Sequence, residues 1–288
     1  MLDLDLVDCI PKSKPITGTD RAIQNKIADH DLTAPSKPQG HSHDGGRHQE
    51  QGGNTSVGEL AEPCSNPEKY RSIVGKLNYV SGATSPDITY AVSFLCRFMA
   101  HPLVHHWNIM VRTLKYIKGT LDYKLHLGEV ALDQSIVGYS DSDYACDADR
   151  KSTTGYCFFV YNGLVSWKSK KQVTVTTSTC EAEYMALSDA AKEGIWTRMF
   201  VSALKQPHDI NAVLLYGDNY GSLQTTNAHS HHKRMKHIDI KYHFIREKIQ
   251  EKKIQVSHVS THHQIADIFT KPLTKIKFED FRKQLGVF

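Results

Sequence analysis

Asp141 and Asp143 close a short apolar run, IVGYSDSDY (136–144), and three further carboxylates stand in comparable places downstream. Glu183 lies in STCEAEYMALSDAA, Asp218 ends AVLLYGDN, and Asp267 falls early in HHQIADIFTK. Acids at strand ends and on helices, with no Cys/His ligand pattern beside them, are the donor set that Mg²⁺ prefers: hard oxygens, with water and substrate phosphate completing the octahedron. The chemistry such a set suits is phosphodiester hydrolysis. Alternation along the strand puts Asp141 on one face with Val137 and Tyr139, at the rim of whatever the strand builds. Asp143 shares that face, and period alone does not separate the two. In the helix the period does discriminate. Ala182, Met185, Ala186, Ala190, Phe200, Ala203 and Leu204 define the expected buried stripe, with Glu183 at its edge facing the sheet and Glu181 nearly opposite.

The elements that must hold these acids can be read from pattern. After the Asp141 strand, TGYCFFVYNG and LVSWKSKK meet at Asn162 and Gly163, a pair that signals a hairpin, so the strand opens an antiparallel meander. A long helix from Thr179 to Leu204 follows. The strand Ala212 to Gly217 is apolar throughout and is therefore expected at the centre of the sheet. A short helix after Asp218, a His/Lys-rich loop, a helix from Asp239 to Lys252, the strand KIQVSHV, the Asp267 helix and a last helix around FEDFRKQL complete the chain. The order implies an α/β (α+β) mixed sheet with helices on its faces. Upstream, Asn66 or Ser65 caps a first helix with Pro67 in its first turn, Ile88, Val92, Leu95 and Met99 share a face of a second, and Gly119 stops a third.

Composition bounds the rest. With 40% hydrophobic residues in 288, the chain can bury a sizeable core. No apolar run is long enough to span a membrane and the acidic amino terminus is unlike a signal peptide, so no membrane association is expected. Six scattered cysteines without a CxxC pair imply free thiols in a reducing compartment, the cytoplasm or nucleus. The net charge of +4 conceals a division: residues 1–67 and 129–228 are acidic, 68–128 and 229–288 basic. That distribution suits a polyanion gripped by its backbone while a metal site works on it. Residues 1–16 read as the end of a larger domain. The Gly, Pro, Ser, His and Gln tract that follows, to residue 67, reads as a disordered linker.

Several stretches carry a resemblance. YSDSDYA, RKSTTGY, SWKSKKQ, STCEAEYMALSDAAKE, YGDN, KHIDIKYHFIREKI and QIADIFTKPL, in this order, resemble the ribonuclease H domain at the carboxyl end of the Pol polyprotein of copia-type LTR retrotransposons. YRSIVGKLNYVSGATSPDITYAVSFLCRFMAHPLVHHW and LKYIKGT are similar to the segment joining the polymerase thumb to that domain, and LDLVDCIPKSKPI to the end of the palm. The resemblance implies a palm remnant at 1–16, the linker at 17–67, a helical thumb or connection segment at 68–128, a ribonuclease H-like fold over 129–274 and a carboxyl-terminal helix at 275–288. It implies cleavage of RNA in RNA:DNA hybrids with two Mg²⁺ ions, replaceable by Mn²⁺. It also puts the four catalytic, metal-binding carboxylates on Asp141, Glu183, Asp218 and Asp267, choosing Asp141 over Asp143. Tyr144 stands where the family usually has Trp, Asn219 lacks the usual following Gln, and THHQ replaces a more acidic stretch before Ala266. No Tyr-x-Asp-Asp occurs, so no polymerase activity is expected.

Lys168, Lys170, Lys171, Lys233, Arg234 and Lys236 are candidates for phosphate contacts to the nucleic-acid backbone. His258, His262 and His263, close before Asp267, are candidates for a proton shuttle. Two other readings follow from the same residues: a non-catalytic nucleic-acid-binding remnant of a Pol polyprotein, and a zinc site built from His229, His231, His232 and His237.

Overall fold

The computed structural model describes residues 62–128, 136–204, 211–227 and 236–288. The palm-like stretch 1–16 and the linker up to residue 61 lie outside them, as do Lys233, Arg234, His229, His231 and His232; the side chains of Lys236 and His237 are likewise undescribed.

Three helices come first: α1 (Pro67–Ala83), α2 (Thr89–Cys96) and α3 (Val104–Gly119). Asn66 caps α1, its Oδ1 accepting from the Lys69 N–H at 2.9 Å, and Pro67 occupies the first turn. Tyr70, Val74, Leu77, Val92, Leu95 and Met110 bury themselves in a core of their own. The described residues ahead of α1 are also tied down. Cys64 is buried and its N–H donates to the Pro102 carbonyl at 2.9 Å, so residues 62–64 are tied to the start of α3.

The sheet has the order β3-β2-β1-β4-β5. Strands β1 (Ile136–Asp143), β2 (Thr153–Val160) and β3 (Gly163–Lys171) form the antiparallel meander; β4 (Val213–Gly217) and β5 (Ile254–His258) run parallel to β1. This is the mixed sheet expected from the sequence, but the central strand is β1; β4, expected there, lies between β1 and the edge strand β5. Side chains of β2 alternate between two cores. Tyr156 and Phe158 pack with Tyr184, Leu187, Ala190 and Ala191 of α4 (Thr179–Ala203), while Cys157 faces Ile268, Phe269, Phe281 and Leu285. The second face is closed by a 3-10 turn (Ile265–Phe269) and, after α5 (Tyr220–Asn227) and α6 (Lys236–Gln250), by α7 (Lys275–Gln284).

Two other expectations need correction. The hairpin turn is Tyr161–Asn162, both with positive φ (52° and 64°), while Gly163 is already paired with Val160. The glycine is demanded by packing instead: a Cβ at position 163 would lie 1.9 Å from the Leu127 carbonyl oxygen. The buried stripe of α4 also departs from its expected course. Ala182, Met185, Ala186 and Ala190 are buried, but Phe200, Ala203 and Leu204 are exposed and Gly194, Thr197 and Val201 are buried in their stead. The cause is Gly194, whose missing side chain lets the helix approach Phe158 and Val213 and rotates the contact stripe. Glu181, expected to point away, is buried as well. It turns back on the helix start, its Oε2 accepting from the N–H and hydroxyl of Thr177 at 2.6 and 2.7 Å.

Candidate metal centre

Asp141 leaves β1 at the point where β4 ends, since Tyr139 pairs with Tyr216 and the two chains then run side by side to Asp141 and Asp218. Glu183 enters from the first turns of α4. Its carboxylate is fixed by the Ser142 N–H, which donates to Oε1 at 3.3 Å. Asp141, Glu183 and Asp218 each offer a carboxylate oxygen, and these oxygens lie within 4.8 Å of one another. Asp141 is 2% exposed and Glu183 9%. Burial and mutual repulsion therefore push both carboxyls well above their ordinary range, Asp141 despite the opposing pull of Lys271. These two acids, with Asp218 beside them and all three offering hard oxygen donors, fit a divalent cation, which would relieve that repulsion.

Neighbours orient each acid. Thr270 donates its hydroxyl to Asp141 Oδ2 through a short hydrogen bond, and Thr261 donates to Asp218 Oδ2 at 2.9 Å. Gln264 Nε2 reaches the Ser140 carbonyl at 2.9 Å, pinning the Asp267 turn to β1. None of these three is singled out by the sequence pattern. Asp267 stands beside the group rather than in it. It is fully buried and held by two ammonium groups, Lys271 at 2.8 Å on Oδ1 and Lys277 at 2.7 Å on Oδ2. Lys271 also approaches Asp141 Oδ2 at 3.6 Å. The spacing Asp267 to Lys271, four residues, is the one signal in the sequence that could have found this pair. Asp143 is half-buried, outside the three-acid group, and burial raises its carboxyl.

The candidate histidines cluster at the same mouth. His258 Nε2 lies 3.2 Å from the Asp218 carbonyl oxygen, His263 Nδ1 lies 2.9 Å from Ser260 Oγ, and His262 is exposed on the turn Thr261–His263. Of the candidate lysines, Lys168 and Lys170 are exposed on β3. Lys171 is not free: it bridges Asp147 at 3.0 Å and Asp149 at 2.9 Å. Lys170 and Lys171 both line a hollow of about 260 Å³ with Lys241 and Gln172. Gln172 Nε2 donates at 3.0 Å to the carbonyl of Ala182, the residue before Glu183, though none of the site acids lines the hollow. Lys241, which approaches Asp189 at 4.0 Å, is not among the sequence candidates.

A meander of three antiparallel strands extended by two parallel ones, with acids at the ends of β1 and β4 and on the first helix after the meander, defines a ribonuclease H-like domain. No family model matches the chain. It is 39% identical over 223 residues to the retrovirus-related Pol polyprotein from transposon RE2 of Arabidopsis thaliana, covering 77% of this chain and 15% of that polyprotein. To the Pol polyprotein from transposon TNT 1-94 of Nicotiana tabacum it is 37% identical over 234 residues, covering 81% of this chain and 17% of that one. Among solved structures, LC11-RNase H1 in complex with RNA/DNA hybrid superposes with a TM-score of 0.36 at 16% identity, over 47% of this chain and 94% of that one. The chain belongs with the Pol polyproteins of copia-type retrotransposons, of which it spans a small part.

Proposed function

We propose that this chain is the ribonuclease H of a copia-type element, an intracellular hydrolase that cuts the RNA strand of RNA:DNA hybrids with the help of divalent cations, Mg²⁺ or Mn²⁺. The observation that carries the reading is the convergence of Asp141, Glu183 and Asp218 within 4.8 Å at the mouth of the sheet. Asp141, Glu183 and Asp218 would hold one ion and Asp141 with Asp267 a second. Bound divalent ions supply a water acidic enough to give hydroxide near neutral pH, and positive charge beside the phosphate and the departing 3′ oxygen.

The protein's own part is positioning. Thr270, Thr261 and the Ser142 N–H fix the oxygens of Asp141, Asp218 and Glu183, so the donor set is assembled before substrate arrives. Lys168 and Lys170, exposed on β3, and Lys241 would contact the phosphate backbone, while choice of hybrid would come from backbone shape and 2′-hydroxyl contacts rather than base reading. His258, beside Asp218, is the best-placed of the three histidines for handling the leaving group's proton.

A labelled RNA:DNA hybrid, incubated with the folded, monodisperse protein and Mg²⁺ or Mn²⁺, tests the reading. The expected result is shortened RNA with the DNA strand intact. Binding of the hybrid without any cleavage would replace the enzyme by a nucleic-acid-binding remnant.

A further inference from the structure

The two lysines on Asp267 are not equivalent. Lys277 comes from α7, contacts only the outer oxygen, Oδ2, and also donates to the Thr261 carbonyl at 3.2 Å, so it ties the helix to the turn. Lys271 sits between the two acids that would share the second ion, 2.8 Å from Asp267 Oδ1 and 3.6 Å from Asp141 Oδ2. Asp267 Oδ1 is buried, and the Lys271 ammonium meets it at 2.8 Å as an ion pair. One ammonium thus serves two buried carboxylates, the same pair that the second ion would use.

Resting on the reading of Asp141 and Asp267 as ion ligands, we propose that Lys271 is a built-in cation that occupies the space between them and that the second divalent ion must displace. Two cations cannot share that space: a divalent ion bonded to Asp267 Oδ1 and Asp141 Oδ2 would lie within about 4 Å of an ammonium in the same place, and in so buried a setting the repulsion exceeds what either gains. Displacement is feasible because the Lys271 side chain is 32% exposed and its head can swing to water on its long stem. Lys277 stays on Oδ2 throughout and keeps Asp267 oriented. Two carboxylates hold the Lys271 ammonium at 2.8 and 3.6 Å, so it is a firm competitor. The consequence is a chain that takes one ion readily at Asp141, Glu183 and Asp218 and a second only at higher concentration. Substrate phosphate, by adding anionic oxygens to the second position, would tip the exchange.

The test is a calorimetric Mn²⁺ titration of the full chain without substrate, with bound Mn²⁺ counted independently by electron paramagnetic resonance. The wild type should bind one ion tightly and a second weakly. Lys271→Met should tighten the second by roughly tenfold or more and the first by much less, whereas Lys271→Arg, keeping the charge, should retain the weak second site. Lys277→Met should not tighten it, since that lysine lies outside the span; equal tightening by both variants would mean general charge repulsion and would overturn the proposal. An isotherm for Lys271→Met superimposable on the wild type, each protein melting cooperatively, would overturn it too while leaving the first site intact. Absence of any Mn²⁺ binding by any of the proteins would overturn the metal reading itself and this inference with it.

Discussion

Asp141 carries the heaviest demand of any residue in the site, because it alone faces Glu183 and Asp218 on one side and Asp267 with Lys271 on the other. Replacing it by Asn removes a ligand oxygen and a charge that both ion positions would share, and should slow hybrid cleavage by about a thousandfold, some 4 kcal/mol of transition-state stabilisation. Asp143→Asn, outside the three-acid group, should change the rate by less than about threefold. Kinetics of both variants on one hybrid, with matching circular dichroism spectra, decide the matter; an Asp143 variant as inactive as the Asp141 variant would reverse the assignment. The same crowding makes stability depend on pH. Asp141 and Glu183 have folded-state pKa values raised above those of the unfolded chain, so they hold protons more tightly when folded. Their contribution to stability is full below the unfolded values and is lost as pH rises through the folded ones, for Asp141 about 7. The metal-free protein should therefore melt lower at pH 8 than at pH 5.5 on their account, and Mg²⁺ should raise the melting temperature more at pH 8. Chelation at pH 8 should remove that gain, and melting curves with and without chelator that coincide at both pH values would count against a cation at these acids. At this scale the sequence was legible for the acids and mute about their partners. Strand ends and periodicity point at Asp141 and Glu183, but Thr270, Thr261 and Lys277 reach the site by tertiary contact, for which a single sequence has no period.

At the scale of elements, the Asp267 turn is set against β2 by a missing side chain. A Cβ on Gly155 would come within 2.7 Å of Phe269 Cβ and 2.6 Å of Thr270 Cγ2, and 3.1 Å from the Ala266 carbonyl oxygen. Gly155→Ala should thus push the whole turn away from the sheet, costing about 1–3 kcal/mol, and should move Thr270 off Asp141 and lower activity as well. Gly75→Ala is the contrasting case, exposed in mid-α1 with nothing within 4 Å of the added carbon. It should stabilise by about 0.5–1 kcal/mol. Urea unfolding of both variants checks the pair, and a neutral Gly155→Ala would mean that the turn yields without cost. The elements were largely foreseeable: their order along the chain, hairpin and helix starts follow from alternation and caps. What escaped was what depends on a close approach between elements. Tyr161–Asn162 takes the turn because Gly163 must lie against Leu127, and the stripe of α4 shifts because Gly194 admits Phe158.

Taken as a whole, the described molecule reads as a helical core and a sheet with a core on each face, joined by polar bonds that are themselves sheltered. Trp167 Nε1 on β3 donates to the Ser81 carbonyl of α1 at 2.8 Å, and Ser93 Oγ of α2 donates to the Ser169 carbonyl at 3.0 Å. Arg97 pairs with Asp147 at 2.7 Å, each side chain only 15% exposed, and Tyr116 of α3 packs edge-on against Phe278 of α7. The chain's carboxyl end then closes back on the segment after α3, with the Lys124 and His126 N–H groups donating to the Phe288 and Gly286 carbonyls at 3.0 and 2.8 Å. Exposing either part alone would strip partners from buried donors at about 1–3 kcal/mol each, so the helical unit and the sheet should unfold together. The three tryptophans allow this to be measured, since Trp107 belongs to the helical core, Trp167 to the seam and Trp196 to the exposed face of α4. In a Trp167→Phe, Trp196→Phe background, Trp107 fluorescence reports the helices alone while far-UV circular dichroism reports the whole. The two urea transitions should coincide in midpoint and slope, the double variant being weaker than the wild type by about 1 kcal/mol for the lost indole bond. If Trp107 instead melted first, with the sheet signal intact, the helices would be a separate body, and the bonds of Arg97, Ser93 and Ser81 would be too weak to couple them.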